Sequence, residues 1–301
     1  MVDEIAALLD LITTHFRLSA DPEITLEANP DTLSPEYLSG LGSIGVNRLS
    51  IGIQSFFDND LKYLSRRHDA SHARRCVQLA KEAGFENINL DLIYGLPTAD
   101  ADQWRRNLDI FFEMEVPHLS AYALTLEPNS ILTKQIEMGK ALPIKEEDAV
   151  RDYGILCQKA SEHGFLHYEI SNFCKPGFHS RHNANYWFGR PYAGFGSSAH
   201  SFDGVSRQWN ASSISYKTIE KEILTPEQIY NEYVMLRLRT MWGIDLKFMK
   251  REMGERFSSY CEHQAEPLIT QGRLSQTREF LYLDDNQMLF ADGVAEELFW
   301  D

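Results

Sequence analysis

The chain has 301 residues, of which 43% are hydrophobic and 24% charged, the composition of an ordinary globular protein. Its net charge of −15 at pH 7 argues against a nucleic-acid binder, because such proteins present a positive surface to phosphates. No segment approaches the roughly 20 apolar residues that a membrane span needs, and the acidic first helix lacks the pattern of a signal peptide. We therefore expect a cytoplasmic protein with no membrane span and no nucleic-acid partner.

Short strand-like segments alternate with helical patterns from residue 1 to about residue 171. The predicted strands are EITLEAN (23–29), VNRLSIGIQSF (46–56), ENINLDLIYGLP (86–97), PHLSAYALTL (117–126) and LHYEIS (166–171). Helix start signals lie between them at Ser34, Asp58 and Asp69. The pattern predicts an α/β fold with five βα units around a parallel sheet.

Polar and apolar side chains alternate in the first three of these strands. In the second strand, Leu49, Ile51 and Ile53 share one face, and the residues between them are polar or small. A barrel filled by its own side chains would instead have nearly continuous Val, Ile and Leu. The polar face is therefore expected to line a ligand site.

Four polar residues lie at or just beyond the C-terminal ends of these strands, where barrels and open α/β sheets build their sites. They are Glu27, Gln54, Arg66 and Asp91. The alternative is that the carboxylates pair with arginines or cap the following helices. The same phase of polar residues in three strands favours the ligand site.

The four cysteines are far apart along the chain. They are Cys76, Cys157, Cys174 and Cys261, and no two of them form a CxxC pair. This spacing indicates neither a zinc site nor a disulfide framework. It is compatible with a reducing compartment.

The segment HNANYWFGRPYAGFGSSAH (182–200) combines histidine and aromatic rings with several glycines. If the chain is helical from about Asn183, His182 and Tyr186 lie one turn apart on the same face. That face is suited to a flat ligand, and equally to a polar cap on a core helix. Gly194 and Gly196 are expected to let the backbone pass close to a ring or a neighbouring strand.

The pattern changes after residue 210. Two helical segments with a break at Gly243 are followed by short strands, a turn at 284–286 and a last helix. Helices followed by a small hairpin are typical of a winged-helix-like α+β domain. We therefore predict a partial barrel with the HNANY segment at 1–210 and a smaller domain at 211–301. This domain is acid-rich, which favours packing on the barrel over DNA binding.

Several motifs occur together in an order that resembles one family. They are EITLEANPDTLS, GVNRLSIGIQSF, NLDLIYGLP, HLSAYALTLEPN and RHNANYW followed by YAGFGSSAH. They resemble the radical-SAM branch that contains oxygen-independent coproporphyrinogen III oxidase and the haem chaperone HemW, from about residue 20 to the C-terminus. The resemblance implies a radical-SAM (β/α) barrel in which Glu27, Gln54, Arg66 and Asp91 contact S-adenosylmethionine.

The HNANY segment matches the HNxxY motif that is associated with haem in the chaperone branch. This resemblance implies that His182 is an axial ligand of the haem iron, with Asn183 and Tyr186 beside it. Imidazole is a common ligand of haem iron. His200 is a weaker second candidate, for which a satisfied core histidine is the favoured alternative.

The sequence departs from the family pattern at its start. Family members begin with a CxxxCxxC motif for a [4Fe-4S] cluster and a GGTP-type strand end, and this sequence contains neither. We therefore expect an N-terminally truncated form that lacks the first βα units and does not ligate the cluster. It is expected to bind S-adenosylmethionine weakly and to perform no radical chemistry.

Three functions are compatible with these observations. The first is a haem chaperone that binds haem and transfers it to an acceptor protein, and the HNxxY match favours it. The second is an oxygen-independent coproporphyrinogen III oxidase, which oxidatively decarboxylates two propionates of a porphyrin precursor by radical chemistry. The third is a non-functional fragment with an exposed sheet edge.

Overall fold

The computed structural model describes residues 2–128, 130–212 and 219–300. The chain divides into two compact units. One comprises Met1–His167 with Ser171–His179, and the other comprises Tyr168–Ile170 with Ser180–Asp301. The domain boundary predicted at residue 210 lies inside the second unit, at the end of a strand.

The first unit alternates helices and strands as the sequence predicts. Its helices are α1 (Val2–His15), α2 (Pro35–Ser43), α3 (Asp58–Tyr63), α4 (Ala70–Glu82), α5 (Ala101–Glu113), α6 (Ile131–Glu137) and α7 (Glu146–Glu162), with a 3-10 turn at Pro30–Thr32. Its strands are β1 (Thr25–Ala28), β2 (Arg48–Gln54), β3 (Asn87–Tyr94), β4 (His118–Ala123), β5 (Leu166–Glu169) and β6 (Asn172–Cys174).

The strands form one sheet in the order β1-β2-β3-β4-β6-β5, and β1 to β4 run parallel. The predicted α/β fold with a parallel sheet is confirmed. Beyond it, β6 runs antiparallel to β4. Only residues 170–171 separate β5 from β6, which is too short for the crossover that parallel strands require. The predicted fifth βα unit therefore ends in two short strands.

Local signals explain where the helices begin. The Ser34 side chain accepts a hydrogen bond from a backbone N–H of α2, and Asp69 does the same for α4. Asp58 is the first residue of α3, where its charge favours the helix dipole. In β2, Leu49, Ile51 and Ile53 are fully buried, so the predicted apolar face packs in the core.

The second unit contains five helices and six strands among its described residues. The helices are α8 (Arg181–Trp187), α9 (Pro226–Leu238), α10 (Leu246–Met253), α11 (Glu255–Thr270) and α12 (Ala291–Glu296). The strands are β7 (His200–Phe202), β8 (Ser206–Asn210), β9 (Ile219–Ile223), β10 (Ile244–Asp245), β11 (Ser275–Gln276) and β12 (Phe280–Tyr282), and a 3-10 turn lies at Met288–Phe290.

Two small antiparallel sheets organise this unit. The sheet β10-β12-β11 follows the helices, as the predicted C-terminal domain requires, and an apolar core forms around Tyr230, Val234 and Leu238. The sheet β7-β8-β9 is not predicted by the sequence pattern, because the charged and mostly exposed β9 shows no buried face. Across the described part of the chain, every helix is too short or too polar to span a membrane.

Candidate functional site

The parallel strands bring the predicted polar residues together on one face of the sheet. Glu27 of β1 pairs in register with Ser50 of β2, and Ser50 pairs with Asn89 of β3. Residues in register on neighbouring strands point to the same face. Asp91 lies two residues beyond Asn89 and therefore shares this face.

Asp91 is the carboxylate whose environment is most unusual in this cluster. Its Oδ1 accepts a hydrogen bond from Asn89 Nδ2 at 2.7 Å and a longer one from Ser50 Oγ at 3.4 Å. Burial, and to a smaller extent the negative charge of Glu27, raise the pKa of Asp91 to about 6 despite these hydrogen bonds. A half-buried carboxylate of raised pKa at the C-terminal end of a parallel strand is typical of a ligand site.

Buried polar residues behind Asp91 hold Asn89 in place. His118 Nδ1 lies 2.5 Å from Asn89 Oδ1, and Ser120 Oγ lies 2.9 Å from Asn89 Nδ2. Ser120 also donates to Asn172 Oδ1 at 2.6 Å. Burial and the nearby cations lower the pKa of His118 well below its usual value, so this imidazole is neutral. These residues were not predicted as site residues, although His118 and Ser120 lie in a predicted strand.

A second group of polar side chains lies over Gly52 of β2. A methyl group at Gly52 would lie 2.9 Å from Gln54 Nε2 and 3.4 Å from Arg66 Nη2, so the absence of a side chain there leaves room for these two groups. Arg66 Nη2 donates to Asn29 Oδ1 at 2.6 Å. The structure therefore brings Gln54 and Arg66 together, as predicted, and adds Asn29. Neighbouring amide and guanidinium groups are able to bind carboxylate or carbonyl oxygens.

Gln54 has a left-handed backbone conformation with φ of 69°, which is uncommon for a residue with a side chain. Buried hydrogen bonds hold the turn that follows it. Asn107 Oδ1 accepts from the backbone N–H of Phe56 at 2.7 Å, and Ser55 Oγ donates to Asp60 at 2.6 Å. Such conformations persist where the surrounding structure supports them, and they are concentrated at functional sites.

The four cysteines belong to α4, α7, β6 and α11, and all four are buried and reduced. Cys174 of β6 pairs in register with His118 and therefore lies on the same side of the sheet as Asn89. Burial raises the pKa of the Cys76 and Cys174 thiols to about 12 and that of Cys261 to about 11. No three metal-binding side chains converge among the described residues. These cysteines therefore do not fit the ligand set of an iron-sulfur cluster, which needs thiolates around one centre.

The HNANY segment lies in α8, so the helical condition under which His182 and Tyr186 share a face is met. Ser180 caps the helix by accepting a hydrogen bond from the backbone N–H of Asn183 at 3.2 Å. His182 and Tyr186 are both exposed one turn apart, and their rings lie 4.8 Å apart between centroids at an interplanar angle of 90°. Asn183, which follows His182 in the sequence, is half-buried. The helix thus presents an imidazole and a phenol ring on one accessible face.

The loop after α8 extends this aromatic surface. The ring of Tyr192 lies 4.6 Å from that of Tyr186. His200, the weaker candidate, is stacked on Trp209 at 5.9 Å and is exposed rather than a core residue. A methyl group at Gly194 would lie 2.1 Å from the carbonyl oxygen of His200, which confirms the predicted close approach of the backbone there. At Gly196 a methyl group would have no neighbour within 4 Å, so the same prediction for this glycine was wrong.

Comparison with known proteins shows the family to which the chain belongs. Residues 1–110 match the Radical SAM superfamily model, and residues 224–290 match the HemN C-terminal domain. Heme chaperone HemW of Mycobacterium tuberculosis is 32% identical over 98% of this chain and 76% of its own length. Heme chaperone HemW of Bacillus subtilis is 33% identical over 97% of this chain and 80% of its own length. The chain belongs to the HemW family.

The solved structure of coproporphyrinogen III oxidase (HemN) from Escherichia coli shares the fold of this HemW-family chain. It has a TM-score of 0.81 and 20% sequence identity, covering 99% of this chain and 74% of that one. At this identity the likeness concerns the fold. Membership of the radical SAM superfamily implies S-adenosylmethionine and a [4Fe-4S] cluster as the cofactors of the family.

Proposed function

We propose that this protein binds haem through α8 and transfers it to an acceptor protein. The observation that carries the proposal is the exposed face of α8, where His182 and Tyr186 lie one turn apart with their rings perpendicular. Relatives named heme chaperone HemW align over nearly the whole chain, which supports the same function.

The chemistry of this face suits haem. Imidazole is a common axial ligand of haem iron, and His182 is exposed on α8. Partial burial, and to a smaller extent the neighbouring Tyr192, raise the pKa of Tyr186, so its phenol stays neutral and offers an apolar ring. Asn183, the next residue after His182 in the sequence, is the third residue of the predicted haem-binding set.

A second candidate function is oxygen-independent coproporphyrinogen III oxidation. The fold similarity to HemN and the match of residues 224–290 to the HemN C-terminal domain favour it. The likeness to HemN, at 20% identity, concerns the fold alone, whereas relatives named heme chaperone HemW align over nearly the whole chain. We therefore favour the chaperone function.

The polar face of the sheet is proposed to hold S-adenosylmethionine. Asp91 and Glu27 would accept from hydroxyl or ammonium groups, and Gln54 and Arg66, which lie beside Gly52, would bind a carboxylate. In the superfamily this cofactor supplies radical chemistry when a reduced cluster accompanies it.

The role of His182 can be tested by titrating the purified protein with haem. We expect about one haem per chain and a Soret band characteristic of imidazole ligation. The His182→Ala variant should bind haem at least about tenfold more weakly, which corresponds to about 1.4 kcal/mol, because the iron loses its protein ligand. Its Soret band should also shift.

The matched controls are His200→Ala and His263→Ala, which remove an exposed imidazole elsewhere in the second unit. Both should retain the affinity and the spectrum of the wild type. A His182→Ala variant with unchanged spectrum and affinity would exclude His182 as the ligand. Loss of ligation in His200→Ala alone would transfer the assignment to that residue.

The binding of S-adenosylmethionine can be measured by calorimetry. We expect weak or undetectable binding by this chain, because recognition by the polar face rests on a few charge-assisted hydrogen bonds, each worth about 1.5–3 kcal/mol. Any residual affinity should fall in Asp91→Ala and Glu27→Ala. Micromolar binding that survives both substitutions would place the cofactor elsewhere and contradict the role of the polar face.

A further inference from the structure

A cavity of about 320 Å³ lies beside α8, entirely within the second unit. Its walls include Tyr186 of α8, Tyr192 and Phe202 of the following segment, and Ile229, Tyr233 and Leu236 of α9. Concave sites lined by aromatic and aliphatic side chains with a few polar groups are the usual form of small-molecule pockets. This volume is near the small end of the roughly 300–1,000 Å³ range of such pockets.

The cavity is built on a regular element. Ile229, Glu232, Tyr233 and Leu236 follow the spacing i, i+3, i+4 and i+7, so they form one face of α9. The ring of Tyr233 stacks on Phe248 of α10 at 5.3 Å, which fixes that wall. The shape of the cavity therefore depends on packed helices as well as on the loop after α8.

Tyr186 belongs both to the haem-binding face and to the wall of the cavity. The imidazole of an axial ligand stands perpendicular to the porphyrin plane. Because the Tyr186 ring is perpendicular to the His182 ring, it is able to lie parallel to a porphyrin that His182 ligates. A macrocycle held by His182 would then extend over Tyr186 towards the cavity, which is large enough for part of it.

The charged and apolar side chains that line the cavity favour one edge of the haem. Glu232 lines the cavity, half-buried, and forms an ion pair with Arg207 at 2.8 Å. Glu252 adds a second carboxylate to the lining. Two arginines also line the cavity: Arg207 is paired with Glu232, and exposed Arg190 lies against the ring of Phe188, where its charge is available to a propionate. Most of the other lining side chains are aromatic or aliphatic, so the apolar edge of the porphyrin is the one that fits inside.

We propose that this cavity receives the vinyl-bearing edge of the haem that His182 ligates, leaving the propionates outside. The inference rests on the proposed haem-binding function and adds to it the residues that select the porphyrin's orientation. Ile229, Tyr233 and Phe202 contact the vinyl edge, and Tyr186 connects the cavity to the ligated iron.

The test compares haem with deuterohaem, in which hydrogens replace the two vinyl groups. The wild type should bind haem at least tenfold more tightly than deuterohaem, because each of the two vinyl groups that is buried contributes roughly a tenfold gain in affinity. In Ile229→Trp, the indole fills the cavity. Haem affinity should fall about tenfold and the preference over deuterohaem should disappear, while the Soret position stays that of the wild type.

Ile223→Trp is the matched control, because Ile223 is exposed on β9 and lies outside the cavity. It should behave as the wild type. Leu236→Trp, on the same face of α9 as Ile229, repeats the test if Ile229→Trp does not fold. Circular dichroism establishes folding in each case.

The outcomes separate this inference from the function on which it rests. If His182→Ala loses ligation but the tryptophan variants keep the wild-type affinity and vinyl preference, haem binds at α8 and the cavity assignment is wrong. If those variants bind haem normally but fail to transfer it to an acceptor, the cavity is instead a protein-docking site, and the inference also fails. If neither the wild type nor any of these variants binds haem, the proposed function itself is wrong.

Discussion

We expect the Asp91→Asn variant to be about 2 kcal/mol more stable than the wild type at pH 8, with the difference disappearing near pH 4. Burial raises the pKa of Asp91 to about 6 in the folded protein, above the value of about 3.9 in an unfolded chain. Above pH 6 the folded protein carries the cost of the buried charge. As the pH falls from 6 to 4, the folded form takes up a proton before the unfolded form, and the wild type gains stability.

The asparagine removes this charge but keeps an oxygen that accepts from Asn89 Nδ2. Urea unfolding at pH 8, 6 and 4 measures the difference. Asp102→Asn, at an exposed carboxylate of α5, is the control and should show little of this pH dependence. An Asp91→Asn effect of the same size at pH 4 and pH 8 would show that titration of Asp91 is not its cause. A variant that is more stable at pH 8 would indicate that the carboxylate of Asp91 lowers the stability of the fold, as is common for residues of a ligand site.

The Asp60→Ala variant should be less stable than the wild type by about 3–5 kcal/mol, because buried Ser55 and the half-buried Thr98 and Gln103 lose their common acceptor. Asp60 is fully buried. Its carboxylate accepts from Ser55 Oγ at 2.6 Å, Thr98 Oγ1 at 2.7 Å and Gln103 Nε2 at 2.9 Å. These bonds connect the turn after Gln54 to the start of α5, so their loss should also release the left-handed conformation of Gln54.

Asp58→Ala provides the comparison within the same helix. The exposed Asp58 accepts one hydrogen bond, from the backbone N–H of Ala70 at 2.8 Å, and its removal should cost about 1 kcal/mol or less. Thermal and urea unfolding of both variants at pH 7 measures the difference. Equal losses for the two variants would mean that the buried network around Asp60 does not support this turn.

Part of the polar face could be predicted from the sequence. Alternation along β1, β2 and β3 predicts Glu27, Gln54 and Asp91 on one side of the sheet, and the strand register confirms the common face of Glu27 and Asp91. The partners that position them were not predicted. Asn89 contacts His118 and Ser120 across 29 and 31 residues of chain, and these contacts exist only because β3 and β4 pair.

The second unit shows the same division. The capped start of α8 and the one-turn spacing of His182 and Tyr186 follow from short segments of sequence. The cavity beside them combines residues from 186 to 253, and one of its walls depends on the sheet β7-β8-β9, which no local pattern predicted.

By itself, the amino-acid sequence determined the strands and helices of the first unit and their alternating faces, because side-chain period and helix caps are local properties. The candidate haem ligand came from the resemblance of HNANY to the HNxxY motif. Only the tertiary structure decided which polar groups meet at Gly52, why Asp91 has a raised pKa and where the cavity lies. Those properties depend on strand register, burial and helix packing between segments distant in the chain, which no local pattern specifies.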